Sequence, residues 1–127
     1  MFNKTGISRV TAGAPTQILF NVQNQMSVSG LVAQALGVNE GSKKIVKAGT
    51  PVTGNLTDRT TAFTAAGTGN AVGVVLHDVD VTEGDGNASI LLWGFVNLDR
   101  IDDTTAAKIT TDVKNALKGS IWFLKDN

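Results

Sequence analysis

Two dense apolar runs stand out along the chain, AVGVVLHDVDV at residues 71–81 and ILLWGFVNL at residues 90–98. Both are rich in β-branched and aromatic residues and are bounded by Gly, Asp and Asn, so each predicts a strand buried on both faces or placed centrally in a sheet. Between them, TEGDGN carries Asp-Gly and Gly-Asn pairs that supply positive φ values, which predicts a hairpin with antiparallel pairing. On strict alternation Trp93 and Phe95 point to one face of the second strand, and Leu92, Gly94 and Val96 to the other. Both faces are apolar, and each needs a cover.

Weaker patterns flank this pair. Residues 17–22, QILFNV, predict a short strand, whereas residues 23–42 show no clear period and are left unassigned, with a helical turn or two near Leu31, Val32, Ala35 and Leu36 as one option. Lys44-Ile45-Val46-Lys47 leads into Gly49, which permits a tight turn, and Pro51, which argues against a central strand position. A hairpin or kinked edge is expected there. The polar tract 53–70 predicts a surface loop broken by Phe63. After Leu98 the period changes: Asp102 or Asp103 caps a helix that places Ala106, Ile109, Val113, Ala116 and Leu117 on one face. Gly119 ends it, with Lys114 and Lys118 near the negative end of the dipole. Residues 120–124 predict a closing strand. Residues 1–14 show neither period and predict an extended arm in which Phe2, Ile7 and Val10 are isolated apolar residues suited to docking on another chain.

Composition narrows the function classes. At 127 residues the chain suits one domain, and zero net charge with 17% charged residues provides no field to gather nucleic acid or an anionic membrane. The longest apolar run falls far short of a membrane span, and residues 1–10 lack the apolar core of a secretory signal, so a soluble protein made in the cytoplasm is expected. Cysteine is absent, which removes disulfides, thiolate nucleophiles and most structural zinc chemistry.

Reactive material is sparse. His77 is the one histidine, and with no nucleophile elbow nearby it reads as a structural residue satisfied by a neighbour. Asp78, Asp80, Glu83 and Asp85 form the densest carboxylate group. The ligand spacing of a calcium loop breaks at Thr82 and Glu83, so solvated charges at a strand end are expected and no metal ligand is assigned. Gly67, Gly69 and Gly73 precede a strand instead of opening a helix, which argues for a turn and against a phosphate-binding loop. No catalytic residue and no cofactor are expected. The aromatic residues Trp93 and Phe95 are the candidate oligomer interface, since a small domain often buries a second sheet face against copies of itself.

The segments AGTPV at 48–52, AVGVVLHDVDV at 71–81 and GFVN at 94–97 resemble the head decoration and head fibre proteins of tailed bacteriophages, particularly phages of Gram-positive hosts. Their order is also similar to the small lambda-type decoration proteins. The resemblance covers residues 43–98 and leaves the helix near 104–118 outside it. It implies a homotrimer at three-fold positions on the exterior of a virion head, where it clamps the major capsid protein. The N-terminal arm, with Phe2, Lys4, Ile7, Arg9 and Val10, would reach the shell by adding to a sheet edge.

The expectation is therefore an α+β, mostly β, barrel- or tulip-like domain spanning 15–127, with one C-terminal helix and an arm at 1–14. It would be a non-enzymatic cement protein of a phage capsid, without nucleic-acid or membrane partners. A carbohydrate-binding or host-adhesion module, such as the base of a head fibre, is the alternative.

Overall fold

The computed structural model describes residues 17–20, 22–67 and 69–125, so the arm assigned to 1–14 lies outside the described residues. The domain is small and mostly β, as its alternating and β-branched segments require. In chain order its strands are β1 (Met26–Val32), β2 (Val38–Glu40), β3 (Lys43–Val46), β4 (Pro51–Thr53), β5 (Thr64–Ala65), β6 (Gly73–Val75), β7 (Val79–Asp80), β8 (Gly86–Asn97) and β9 (Ile121–Leu124). Two short helices, α1 (Asp103–Ala106) and α2 (Thr111–Ala116), lie between β8 and β9.

The larger sheet runs β9-β8-β6-β4-β5, with β1 also paired to β8; the smaller runs β2-β3-β7. Among the described residues every strand pairing is antiparallel except β9 on β8, where Ile121 lies opposite Gly94 and Trp122 opposite Phe95. The two apolar runs do pair antiparallel, through Val74 with Leu91 and Val75 with Ile90. The first run is not one strand, however. It bends at His77 and Asp78, and its second half, β7, leaves for the small sheet, where Ile45 pairs with Asp80.

Strand β8 organises the whole domain. One edge carries β1, and further along it the segment 17–20, through Asn97 N–H to Ile18 C=O at 2.8 Å and Phe20 N–H to Phe95 C=O at 2.8 Å. The opposite edge carries β6 and then β9. Two cores lie against it. Leu91 and Val96 join Ile18, Leu19, Val74, Ile109, Val113, Leu117 and Ile121 in one; Ile90 joins Val32, Val46, Val52, Phe63, Val75 and Val81 in the other.

Leu91 and Val96 share a core although they are an odd number of positions apart, so alternation must slip once between them. The slip is a β-bulge: Met26 pairs with Trp93 but Ser27 with Leu91, leaving Leu92 as the extra residue. The expected grouping of Leu92 with Gly94 and Val96 is thereby corrected, because Leu92 packs against the second core. Gly94, at φ +153°, follows the bulge, where a Cβ would lie 3.3 Å from Gln25 Cβ and 3.4 Å from Leu91 Cδ1.

Other expectations are also revised. Strand β4 is interior, between β6 and β5; Pro51 is tolerated because it is the first residue of the strand, and its carbonyl still accepts from Ala66 N–H at 3.4 Å. The unassigned stretch 23–42 contains β1, a 3₁₀ turn at Gln34–Leu36 and β2. The single C-terminal helix is two. Asp102 caps the first by accepting from Thr105 N–H at 3.2 Å, and Thr110 caps a second by accepting from Val113 N–H at 3.4 Å. A β-branched run, Ile109-Thr110-Thr111, whose central hydroxyl prefers the capping role, restarts the helix there. Ile109, Val113 and Leu117 nonetheless bury together as the spacing indicated.

The polar tract 53–70 is mostly exposed, but Phe63 is completely buried and tied to β1 by Phe63 N–H to Leu31 C=O at 2.8 Å and Ala33 N–H to Phe63 C=O at 2.9 Å. Its ring is seated against Gly30 and Gly54, where any Cβ would come within 2.9 and 2.6 Å of ring carbons. Phe63→Ala should lower unfolding free energy by about 3–5 kcal/mol, read as a shift in the urea midpoint. A loss below about 1 kcal/mol would contradict this anchoring role.

Candidate functional site

Where the bulge turns β8 over, its aromatic residues leave the cores. Trp93 and Phe95 emerge on one face, and parallel pairing of β9 brings Trp122 alongside them. The three rings contact one another. Trp93 meets Phe95 edge-on at 5.8 Å and Trp122 edge-on at 5.8 Å, and Phe95 stacks on Trp122 at 5.1 Å with 24° between planes. Such contacts hold the rings in fixed orientations, so the cluster is a stiff surface.

Register extends this surface. Phe20 lies opposite Phe95, Met26 opposite Trp93, and Leu124 two residues beyond Trp122 on the same side of β9. All are exposed: Phe20 by 45%, Met26 by 61%, Trp93 by 39%, Trp122 by 38% and Leu124 by 42%. No charged side chain is among them. The structure thus unites Trp93 and Phe95, as alternation predicted, and adds four residues that the sequence did not bring to them. Alternation along β9 puts Trp122 and Leu124 on one face, but nothing in the sequence announced that β9 would run parallel to β8.

Strand β9 is also an edge strand, with β8 as its one partner among the described residues. The segment 17–20 and β9 reach the same end of β8, beside Asn97, on its two opposite edges. At that end Arg100 donates through Nη1 to the Gln17 carbonyl at 3.3 Å. Gln17, the first described residue, therefore lies at the same end of β8 as Leu124. Phe2, Lys4, Ile7, Arg9 and Val10 lie outside the described residues.

The carboxylates of 78–85 point to separate structural tasks. Asp78 accepts from Ala48 N–H at 2.8 Å and lies 3.4 Å from Lys47 Nζ; Asp80 accepts from Thr82 N–H at 2.9 Å; Asp85 accepts from Gln34 N–H at 2.9 Å. The Thr82 hydroxyl and then its N–H hold the Asp80 carboxyl below its ordinary range. Among the described residues no group of three or more His, Asp or Glu side chains is arranged to hold a metal ion. A cleft lined by Ser42, Lys43, Asp80, Thr82, Glu83, Gly84 and Asp85 is open to solvent.

His77 stands on the bend between β6 and β7, half-buried, and its Nδ1 is enclosed without a hydrogen-bond partner. Asp78, its sequence neighbour, is engaged by Ala48 and Lys47 instead, so the expected satisfied imidazole is corrected. Gly73, the last of the three spaced glycines, is inside β6, where a Cβ would collide with the Leu91 carbonyl. Its role is close strand approach.

Neither a protein-family model nor a curated protein matches this chain.

Lys47, just after β3, ties the end of β2 to the bend before β7, with Nζ 3.1 Å from Glu40 Oε2 as well as 3.4 Å from Asp78. The Glu40 hydrogen bond raises its pKa, partial desolvation opposes the rise, and the Asp78 charge adds to it. A raised lysine pKa stabilises the fold below the ordinary lysine range, and that contribution is lost as pH climbs through the folded value. Lys47→Met should therefore cost under about 1 kcal/mol at neutral pH. On the alkaline side the gap to wild type should close above pH ~10.4, as read from denaturation curves across pH.

Proposed function

We propose that this chain is a structural module that decorates a tailed-phage head, a non-enzymatic cement protein that assembles with copies of itself and grips the major capsid protein through its N-terminal arm. The observation that carries the reading is the placement of the segment 17–20. It is locked onto β8 by two backbone hydrogen bonds, next to a stiff, uncharged aromatic face. Whatever precedes Gln17 is thus launched from a fixed point beside a surface suited to protein contact.

The physical logic is multivalency. An extended arm gains backbone hydrogen bonds by adding to an exposed sheet edge, and Phe2, Ile7 and Val10 supply side chains for pockets, with Lys4 and Arg9 between them. A single short arm on its own binds weakly. Three arms on one trimer raise the effective concentration, and avidity exceeds that of one arm by orders of magnitude. This role places the protein on the virion exterior after synthesis in the host cytoplasm, with no cofactor and no nucleic-acid or membrane partner.

Exposed Trp93 and Trp122 also favour a second reading, a carbohydrate-binding or host-adhesion module, because sugars stack on exposed indole faces. Glycan-array binding that disappears in Trp93→Ala and Trp122→Ala would support it over cementing.

Deleting residues 1–14 should leave the far-UV circular dichroism of the domain and its self-association intact while abolishing co-sedimentation with capsid shells. Undiminished shell occupancy by the truncated protein would refute the arm's role.

A further inference from the structure

The geometry points to a homotypic contact: the face formed by Phe20, Met26, Trp93, Phe95, Trp122 and Leu124 is where a second copy of this chain packs. The inference deepens the self-assembly part of the reading above by naming the surface.

Taking the exposed fractions of Phe20, Met26, Trp93, Trp122 and Leu124 against roughly 200 Å² for a large residue, the face presents about 450 Å². That is within the range of the largest patch on a typical free monomer, roughly 300–600 Å². A standard interface covers about 800 Å² per partner, of which a little over half is apolar, roughly 450 Å². The face alone meets that apolar requirement. It is also broader than a sugar platform, because Phe20, Met26 and Leu124 extend it well beyond the two indoles.

Charge selects the occupant. Around a closed two- or three-fold axis the residues nearest the axis meet their own copies, so any charge there faces a like charge. None of the six is charged, and nothing in the patch repels itself. A different protein partner is normally steered and selected by complementary charge, for which this face provides no counterpart. Composition agrees with an interface core: two Trp, two Phe and one Met are residue types enriched there, and the ring contacts fix Trp93, Phe95 and Trp122 before binding, which lowers the ordering cost.

Both tryptophans of the chain lie in this face, so intrinsic fluorescence reports on it directly. Sedimentation equilibrium of the full chain over a wide concentration range should show association, accompanied by a blue shift of tryptophan emission and reduced acrylamide quenching. Met26→Glu and Leu124→Glu, at exposed positions where a charge does not disturb either core, should each weaken association by roughly tenfold or more with unchanged circular dichroism. A chain that stays monomeric at every concentration would overturn the contact, as would association that leaves tryptophan quenching and both variants unaffected. Shell co-sedimentation, measured in parallel, separates the two readings. An associating chain that ignores shells sinks the decoration role and leaves the contact standing, and a monomer that binds shells does the reverse.

Discussion

The fold depends on one strand having to serve two cores at once. Along β8, Ile90 and Leu91 are both completely buried, on opposite faces, and β6 answers them with Val75 and Val74. A strand with such demands cannot be shifted by one residue without moving every side chain into the wrong core. The bulge at Leu92 is where that demand ends. Just before it, at Ile90 and Leu91, both faces of β8 are covered; after it, Val96 still faces a core while Trp93 and Phe95 are turned outward. Without the extra residue, alternation would carry Trp93 and Phe95 to the core side and Val96 to the open side. The aromatic face is therefore a product of register, fixed by one residue in excess and by Gly94, at φ +153°, which follows it within the strand.

The surrounding elements act as covers for this strand. One face is closed by the helical turns around Ile109, Val113 and Leu117, which bury against Leu91 and Val96. The other is closed by the small sheet and by Phe63, a single ring delivered by an otherwise polar loop. Asp78, Asp80 and Asp85 belong to this covering layer: each accepts from a backbone N–H and so holds a bend or turn where the chain crosses between sheets, with Asp78 also beside Lys47. Their density in sequence reflects the number of turns to be satisfied there.

Much of this was legible in the sequence, and the limits have physical causes. The two apolar runs, their antiparallel pairing and the Ile109–Val113–Leu117 spacing followed from local periodicity. The bulge did not, because a pattern apolar on both sides gives no signal of which phase is in force. Strand β1 was hidden because Ser27, Ser29 and Gly30 dilute its alternation, and its burial comes from pairing along β8. The interior position of β4 was obscured by Pro51, whose constraint is local to one residue. The break between α1 and α2 turned on a hydroxyl choosing to cap, a contest that spacing alone does not decide. Of the candidate site, Trp93 and Phe95 were readable as a pair. Phe20, Met26, Trp122 and Leu124 were not, since long-range strand pairing brings them there.

The course of the chain along β8 has a mechanical consequence. Residues 17–20 and then β1 run antiparallel to the same strand, with a short excursion at 22–25 between them. Tension applied at Gln17 along the strand axis loads their hydrogen bonds sideways and together, the geometry in which a ladder resists most, instead of opening them one after another. The excursion divides this resistance in two. If the bonds at Phe20 and Asn97 slide, slack is released before the seven-residue ladder of β1 feels the load, so the domain yields a little length first and keeps its fold.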